Sequence, residues 1–439
     1  MKILAVTNLF PPHHAGTFDL RCQTVTDALR KRGHQVRVLT SNHGVSTEQR
    51  DPEIERRLWL NGVYEHPTLS GFRALKRLEL RNHGVLREAC AQFKPDLVHV
   101  WSLHGLSKSL VFALHRARVP TVYDVADYWL ASEVREDPWL RWWNRQPAAF
   151  PGNLARACLE TIGGRNRLDA EAPTRLQRGY DRLPGFYGPA KALAAVEPNS
   201  VSGFRFDRLY FCSQALKSGA EEAGFGVRHA EVIYPGIQAQ HFVHELRPQS
   251  APVKQLLVVA HLDGRSGVLT ALKGLLAARE NGVKATLTVF GRGDSDYVAQ
   301  LRSFVVTHQL PVEFLTFSDL TRDLRPIYRG HDAVLHTVEW EEPFSLTLLE
   351  AMAAGLPVIA ARAGAVRELL RHGENALTYH AGDALDLAGR IQELQMQPAL
   401  RRQMAETAQA EVLANFNETA VVDRIEGYLE ASRSTWGEG

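Results

Sequence analysis

Glu342-Pro343-Phe344-Ser345-Leu346-Thr347-Leu348-Leu349-Glu350-Ala351-Met352-Ala353-Ala354-Gly355-Leu356-Pro357-Val358-Ile359-Ala360 is the stretch around which this 439-residue chain is organised. Ser345 suits a helix N-cap, since its hydroxyl can accept a free backbone N–H of the first turn. Leu346, Leu349, Met352 and Ala353 recur at helical spacing, Gly355 supplies the stop, and Pro357 confirms it. Leu356 to Ala361 then reads as a short buried strand. A loop therefore feeds a helix whose N-terminus offers unbonded N–H groups and the positive end of its dipole, the makings of an anion site. Glu342 precedes the helix and Glu350 falls in its second turn. A phosphate on the amides of Phe344, Ser345 and Leu346 leaves both carboxylates for neutral hydroxyls, the pattern that a nucleotide-sugar presents. The plainer alternative is a buried helix carrying two surface acids.

The same strand–helix alternation extends outward on both sides. Upstream, Leu256 to Ala260 is a strand, His261 to Gly267 a loop and Val268 to Glu280 a helix. Strands follow at Ala285 to Phe290, Val312 to Phe317 and Ala333 to His336, the last leading into the central stretch. Downstream, Ala384 to Ala414 makes one or two amphipathic helices and Thr419 to Ala431 a last one. In the N-terminal half, Lys2 to Thr7 is a strand and Pro11 to Gly16 a loop. A helix then places Phe18, Cys22, Val25 and Leu29 on one face and stops at Gly33, and Gln35 to Leu39 is the next strand. This βαβ unit predicts a doubly wound parallel sheet. Further strands are expected at Pro95 to Val100, Thr121 to Val125 and Arg208 to Cys212, and a helix at Leu106 to Arg116. Gly16 sits after the first strand, where such sheets bind ligands; it reads equally as a phosphate contact or a turn glycine.

Two domains are therefore expected: residues 1–246, with an insertion at 130–200 and the C-terminal helix 418–439 joined to them, and residues 254–417, with the polar, proline-bearing segment between as linker. The insertion carries Trp139, Trp142 and Trp143 among Arg141 and Arg145; it could cover an acceptor cleft, touch a membrane interface, pair two subunits or hold a small core of its own, and acceptor choice is placed there. Asp294-Ser295-Asp296 could suggest a metal, but Asp and Ser are ordinary helix caps, and no metal ligand set is expected.

Bulk properties narrow the class. A net charge of +2 implies no global affinity for nucleic acid. Cys22, Cys90, Cys158 and Cys212 are scattered without a CxxC, which fits free thiols in a reducing cytoplasm. The opening residues lack a signal-peptide core, and no apolar run reaches membrane-spanning length. Arg73, Lys76, Arg77 and Arg81 cluster on a helix at Gly71 to Phe93. That face could dock peripherally on anionic lipid, or it is simply a solvated basic face.

The central stretch resembles the E-x7-E signature of the GT-B retaining glycosyltransferases of family 4, and the resemblance extends over both halves. It implies two Rossmann-like doubly wound domains facing a central cleft, the second holding a nucleotide-sugar and the first the acceptor. Glu350 would bind the ribose hydroxyls, and Glu342 would act at the sugar. The amides of Phe344, Ser345 and Leu346, with Gly16 and Arg265, would hold the leaving diphosphate. UDP- or GDP-sugar is the expected donor, as a substrate, with no cofactor. The acceptor would be a glycan, a lipid-linked acceptor or a small molecule.

The chain departs from that family pattern at several places. Ala15-Gly16 replaces paired glycines. Ala126-Asp127-Tyr128-Trp129 resembles a His-Asp-Tyr-Trp segment, leaving Asp127 as the catalytic-side group toward a sugar hydroxyl, or as a helix cap. His261 and Ser266 stand where the family has Arg and Lys, with Arg265 as a displaced cation. These changes motivate an alternative: a catalytically degenerate binding or scaffold protein on the same fold.

Overall fold

A computed structural model describes residues 1–13, 17–44, 51–139, 206, 208–248, 250–316 and 324–434. The chain divides into two compact units, Met1–Ile233 with Val422–Gly439, and Tyr234–Val421. Most of the 130–200 insertion, with Trp142 and Trp143 and the acceptor-choice role assigned to it, lies outside the described residues, as does Gly16.

In the first unit, strands β1 (Lys2–Val6), β2 (Gln35–Ser41), β3 (Ile54–Leu58), β4 (Leu97–Val100), β5 (Thr121–Val125), β6 (Arg208–Phe211) and β7 (Glu231–Val232) form one parallel sheet in the order β3-β2-β1-β4-β5-β6-β7. The inner strands are continuous apolar runs because helices cover both faces of such a sheet; every residue of β4 and β5 is buried. Among the described residues its longer helices include α1 (Thr17–Lys31), α2 (Phe72–Phe93), α3 (Leu110–Ala117) and α4 (Gln214–Glu222). Ser213 caps α4, accepting the Leu216 N–H at 3.2 Å.

Two readings shift. β3, Ile-Glu-Arg-Arg-Leu, is an edge strand whose charged residues hid it from a search for apolar runs. The expected helix from Leu106 starts at Leu110, because the buried Lys108 ammonium donates to the carbonyls of Leu103 (2.6 Å) and Leu106 (3.0 Å) and fixes that segment as turns. Within the basic face of α2, Arg77 and Arg81 lie over the Trp59 ring at 5.7 and 5.8 Å. Among the described residues no helix is long and apolar enough to cross a membrane.

The second unit repeats the plan. Strands β8 (Gln255–Val259), β9 (Thr286–Phe290), β10 (Val312–Leu315), β11 (Ala333–His336), β12 (Val358–Ala361) and β13 (Leu377–Tyr379) run parallel in the order β10-β9-β8-β11-β12-β13. Around them lie α5 (Val268–Glu280), α6 (Ser295–Thr307), α7 (Arg325–Gly330), α8 (Leu346–Ala353), α9 (Val366–Leu369), α10 (Ala384–Met396) and α11 (Pro398–Asn415). The predicted amphipathic stretch from Ala384 is thus two helices, divided where Pro398 takes the first helical position of α11.

The division between units falls at Ile233/Tyr234, earlier than the polar segment 246–254. The Tyr234 hydroxyl donates to Glu368 (2.9 Å), and the Ile237 N–H donates to the Phe416 carbonyl (2.9 Å), which ties this segment to the second unit. The last helix, α12 (Glu418–Ser434), contributes mostly to the first unit. There Arg32 pairs with Asp423 at 2.6 Å and Glu426 at 2.5 Å, and the Tyr428 hydroxyl donates to the Leu209 carbonyl at 2.9 Å.

Candidate functional site

In each sheet the strand order reverses at one point, between β1 and β4 in the first and between β8 and β11 in the second. Open α/β sheets bind ligands outside the carboxyl ends of their strands at that point. In the second unit, the two loops leaving β8 and β11 are locked together there. Gly267 has φ +68°, and a Cβ built on it would lie 1.7 Å from the Thr337 carbonyl oxygen. Thr337 donates its hydroxyl to the Ser266 carbonyl (2.8 Å), and the Glu339 N–H donates to the Arg265 carbonyl (2.9 Å). Only glycine permits this approach. The Thr270 hydroxyl, on the first turn of α5, donates to Glu339.

Between β11 and α8 lies the segment carrying Glu342, Phe344 and Ser345. Ser345 is the N-cap of α8, its hydroxyl accepting the Leu348 N–H at 3.4 Å. The first-turn N–H groups ahead of Leu348 have no carbonyl four residues back to bond. Phe344 is buried, its ring 5.9 Å from Tyr234 and 6.4 Å from Phe416, which anchors the loop. Glu342 is held from below: its carbonyl accepts the Ala365 N–H (3.1 Å), and a Cβ on Gly364 would come within 2.4 Å of its backbone. Its carboxylate Oε2 lies 3.3 Å from Nε2 of the buried His336, but the two are not aligned for a hydrogen bond and neither atom has another partner.

Glu350 faces Tyr328. The Tyr328 hydroxyl lies 3.0 Å from Glu350 Oε2 and 3.2 Å from the Thr347 carbonyl. Burial pushes the Glu350 carboxyl up to about 7, against the opposing effect of the Tyr328 hydrogen bond. Sequence reasoning missed Tyr328 and His336, which are 22 and 6 residues from the carboxylates they meet and carry no local signal.

The loop after β8 differs from a free cationic clamp. Arg265 donates to Asp263 (3.0 Å) and stacks on Trp340 at 4.9 Å, with its side chain largely exposed. The Ser266 hydroxyl donates to the Asp263 carbonyl (2.6 Å), so it is used within the turn. His261 is exposed. Asp294 caps α6 by accepting the Tyr297 N–H at 2.8 Å, the ordinary role expected of it.

In the first unit, Asp127 follows β5. Its carboxylate accepts the Ser102 hydroxyl and the Trp129 N–H, each at 2.8 Å, just ahead of a short π-helical turn, Trp129–Glu133. Burial, aided by the Glu133 charge, raises its pKa.

Two family descriptions match the chain: "Glycosyl transferases group 1" over residues 244–411 and "Glycosyl transferase 4-like domain" over residues 20–150. Glycogen synthase of Mycobacterium tuberculosis is 29% identical over 232 residues, 52% of this chain and 55% of that protein. The chain thus spans about half the length of that relative. An uncharacterised glycosyltransferase of Methanocaldococcus jannaschii is 23% identical over 95% of both chains. Among solved structures, Anabaena HepE in complex with UDP and glucose shares the fold, with TM-score 0.64, 20% identity, and coverage of 98% of this chain and 100% of that one.

Proposed function

Since this chain belongs to the family 4-like glycosyltransferases of the GT-B fold, we propose that it transfers a glycosyl group from a nucleoside-diphosphate sugar to an acceptor hydroxyl with retention of anomeric configuration. The observation that carries this reading is the placement of Glu342 and Glu350 before and within α8, at the switch point of the second sheet. The UDP and glucose in the Anabaena structure support a uridine donor.

In this mechanism Glu350 accepts the ribose hydroxyls. The amides opening α8 take the diphosphate, whose developing charge they stabilise as it leaves. Glu342 positions the sugar hydroxyls and offsets positive charge at the anomeric carbon. The attacking hydroxyl approaches on the face the diphosphate leaves, which passes its proton to the departing phosphate. Backbone dipoles and Arg265 serve the leaving group without a resident metal. The first unit receives the acceptor, with Asp127 at a sugar hydroxyl.

A thermal-shift panel of UDP, GDP, ADP and TDP and their sugar conjugates, with and without EDTA, tests the donor. UDP or GDP should stabilise equally well in EDTA. No shift from any nucleotide overturns the reading in favour of a catalytically degenerate scaffold.

Glu350 gives a sharper test because its proton is linked to both folding and binding. Its folded pKa lies above the ordinary carboxyl value. The stability contributed by that proton is therefore full below the ordinary carboxyl range and lost as pH rises through about 7. Ribose hydroxyls donate to the ionised form, so donor binding releases a proton and affinity rises through the same window. Glu350→Gln should weaken nucleotide binding roughly 10- to 100-fold, abolish the proton release measured by calorimetry in two buffers, and raise stability at pH 8. Unchanged affinity removes the ribose role. Separately, Arg265→Ala should weaken UDP several-fold more than uridine; equal losses would exclude a diphosphate contact.

A further inference from the structure

A histidine patch lies at the carboxyl edge of the first sheet, about its switch point. His13 comes from the loop after β1, His43 from that after β2, Tyr64 and His66 from that after β3, and His104 from that after β4. Ring centroids connect them: His13–His43 at 6.2 Å, His43–His66 at 5.4 Å, His43–Tyr64 at 5.8 Å and Tyr64–His104 at 5.6 Å. All five side chains are partly exposed. His43 Nδ1 and His66 Nε2 are 3.2 Å apart, so one proton bridges them. One further proton turns the pair into an imidazole–imidazolium unit with an N–H on each outer nitrogen.

The loop bearing Tyr64 and His66 is tightly constructed. Tyr64 and Glu65 have φ 49° and 66°, two successive left-handed residues that are not glycine. Such strain persists only where surrounding structure over-determines it, and it collects at functional sites. Here the Asn61 N–H donates to the Gly105 carbonyl (2.9 Å), the His66 N–H to the Val63 carbonyl (2.9 Å), and Asn8 Nδ2 to the Tyr64 hydroxyl (3.3 Å). Arg56 donates to the carbonyls of Phe10 and Pro11, which fixes the chain leading to His13.

Arg56 brings a positive charge to the edge of this patch. Of the carboxylates near it, Glu133 is taken up by His104 and by the Lys108 ammonium at 2.8 Å, Asp127 is engaged by Ser102 and Trp129, and the Asp51 charge acts on Arg56. Burial lowers the pKa of His13 and of His66. The charges of Arg56 and His43 lower His13 further, and that of His43 lowers His66. An anion seated among His13 and His66 would oppose these shifts, whereas Glu133 already raises His104.

We propose that His13, His43 and His66 bind a phosphate group carried by the acceptor. Donors arriving from three loops suit a group with oxygens on several sides, and the neighbouring Tyr64 and His104 flank the body of the acceptor. This assignment rests on the reading that the first unit receives the acceptor. It names the acceptor as a phosphorylated molecule, free or lipid-borne.

The test uses the full chain saturated with UDP, so that phosphate cannot occupy the donor site, and titrates inorganic phosphate by calorimetry. Glucose 6-phosphate and phosphatidylcholine vesicles containing phosphatidic acid form two further arms that separate a soluble from a lipid-borne phosphate. Saturable phosphate binding is expected, weakened tenfold or more by His43→Asn and by His66→Gln, with UDP affinity and melting temperature unchanged. No phosphate binding, or binding indifferent to both variants, overturns the proposal. So does stoichiometric Zn2+ binding lost in the same variants without any phosphate effect. Failure of UDP to bind the wild-type chain speaks against the donor reading alone, since phosphate is then titrated in its absence.

Discussion

Glu342→Gln should lower kcat by roughly 10²- to 10³-fold while leaving nucleotide affinity within about threefold, since an electrostatic group at a reacting centre is worth about 3–4 kcal/mol. The replacement keeps the side chain's size and the backbone lock on its neighbours, the Ala365 N–H bond and the close pass of Gly364. It removes only the charge facing His336, the charge that the proposed mechanism sets at the sugar. A loss confined to kcat places Glu342 at the transition state. A parallel loss of nucleotide affinity would instead mean that Glu342 shapes the donor loop through its backbone, and the sugar-centred role would fall. His336→Gln is the companion variant: if Glu342 acts alone, it should retain most of the turnover.

Gly267→Ala should lower the melting temperature by roughly 10 °C, for a cost of about 4 kcal/mol. The added carbon meets the Thr337 carbonyl oxygen at 1.7 Å and carbon at 2.7 Å, both backbone atoms that cannot swing away. The backbone also sits at φ +68°, which an alanine resists. Gly282, just past the other end of α5, is the control. Its φ is +87°, but nothing lies within 4 Å of a Cβ there, so Gly282→Ala carries the conformational cost alone, about 1 kcal/mol. Near-equal melting of the two variants would show that the loops after β8 and β11 can part, and the locked geometry of the donor site would be lost as an explanation. Nucleotide binding in Gly267→Ala, measured well below its melting temperature, should fall with the displaced loop.

The sequence by itself determined whatever depends on near neighbours. The Ser345 cap, the end of α8 at Gly355 with its φ of +69°, the cap at Ser213 and the alternation that builds two parallel sheets were all legible. Caps, stops and hydrophobic period are written within a few residues of where they act. The edge strand β3 escaped because a strand exposed on one side need not be apolar.

Tertiary structure decided the chemistry of the groups the sequence had singled out. Glu350 reads as an ordinary acid until burial beside Tyr328 raises its proton affinity, and burial is a property of the packed unit. Arg265 reads as a free cation until Asp263 and Trp340 engage it. Asp127 reads from its neighbours as a ligand or a cap, and the packed unit adds the Ser102 hydroxyl to one of its oxygens and the Trp129 N–H to the other. The histidine patch is invisible in the chain because its members lie on separate loops, spread over some ninety residues. Only the parallel sheet, by placing every strand's carboxyl end on one edge, brings them together.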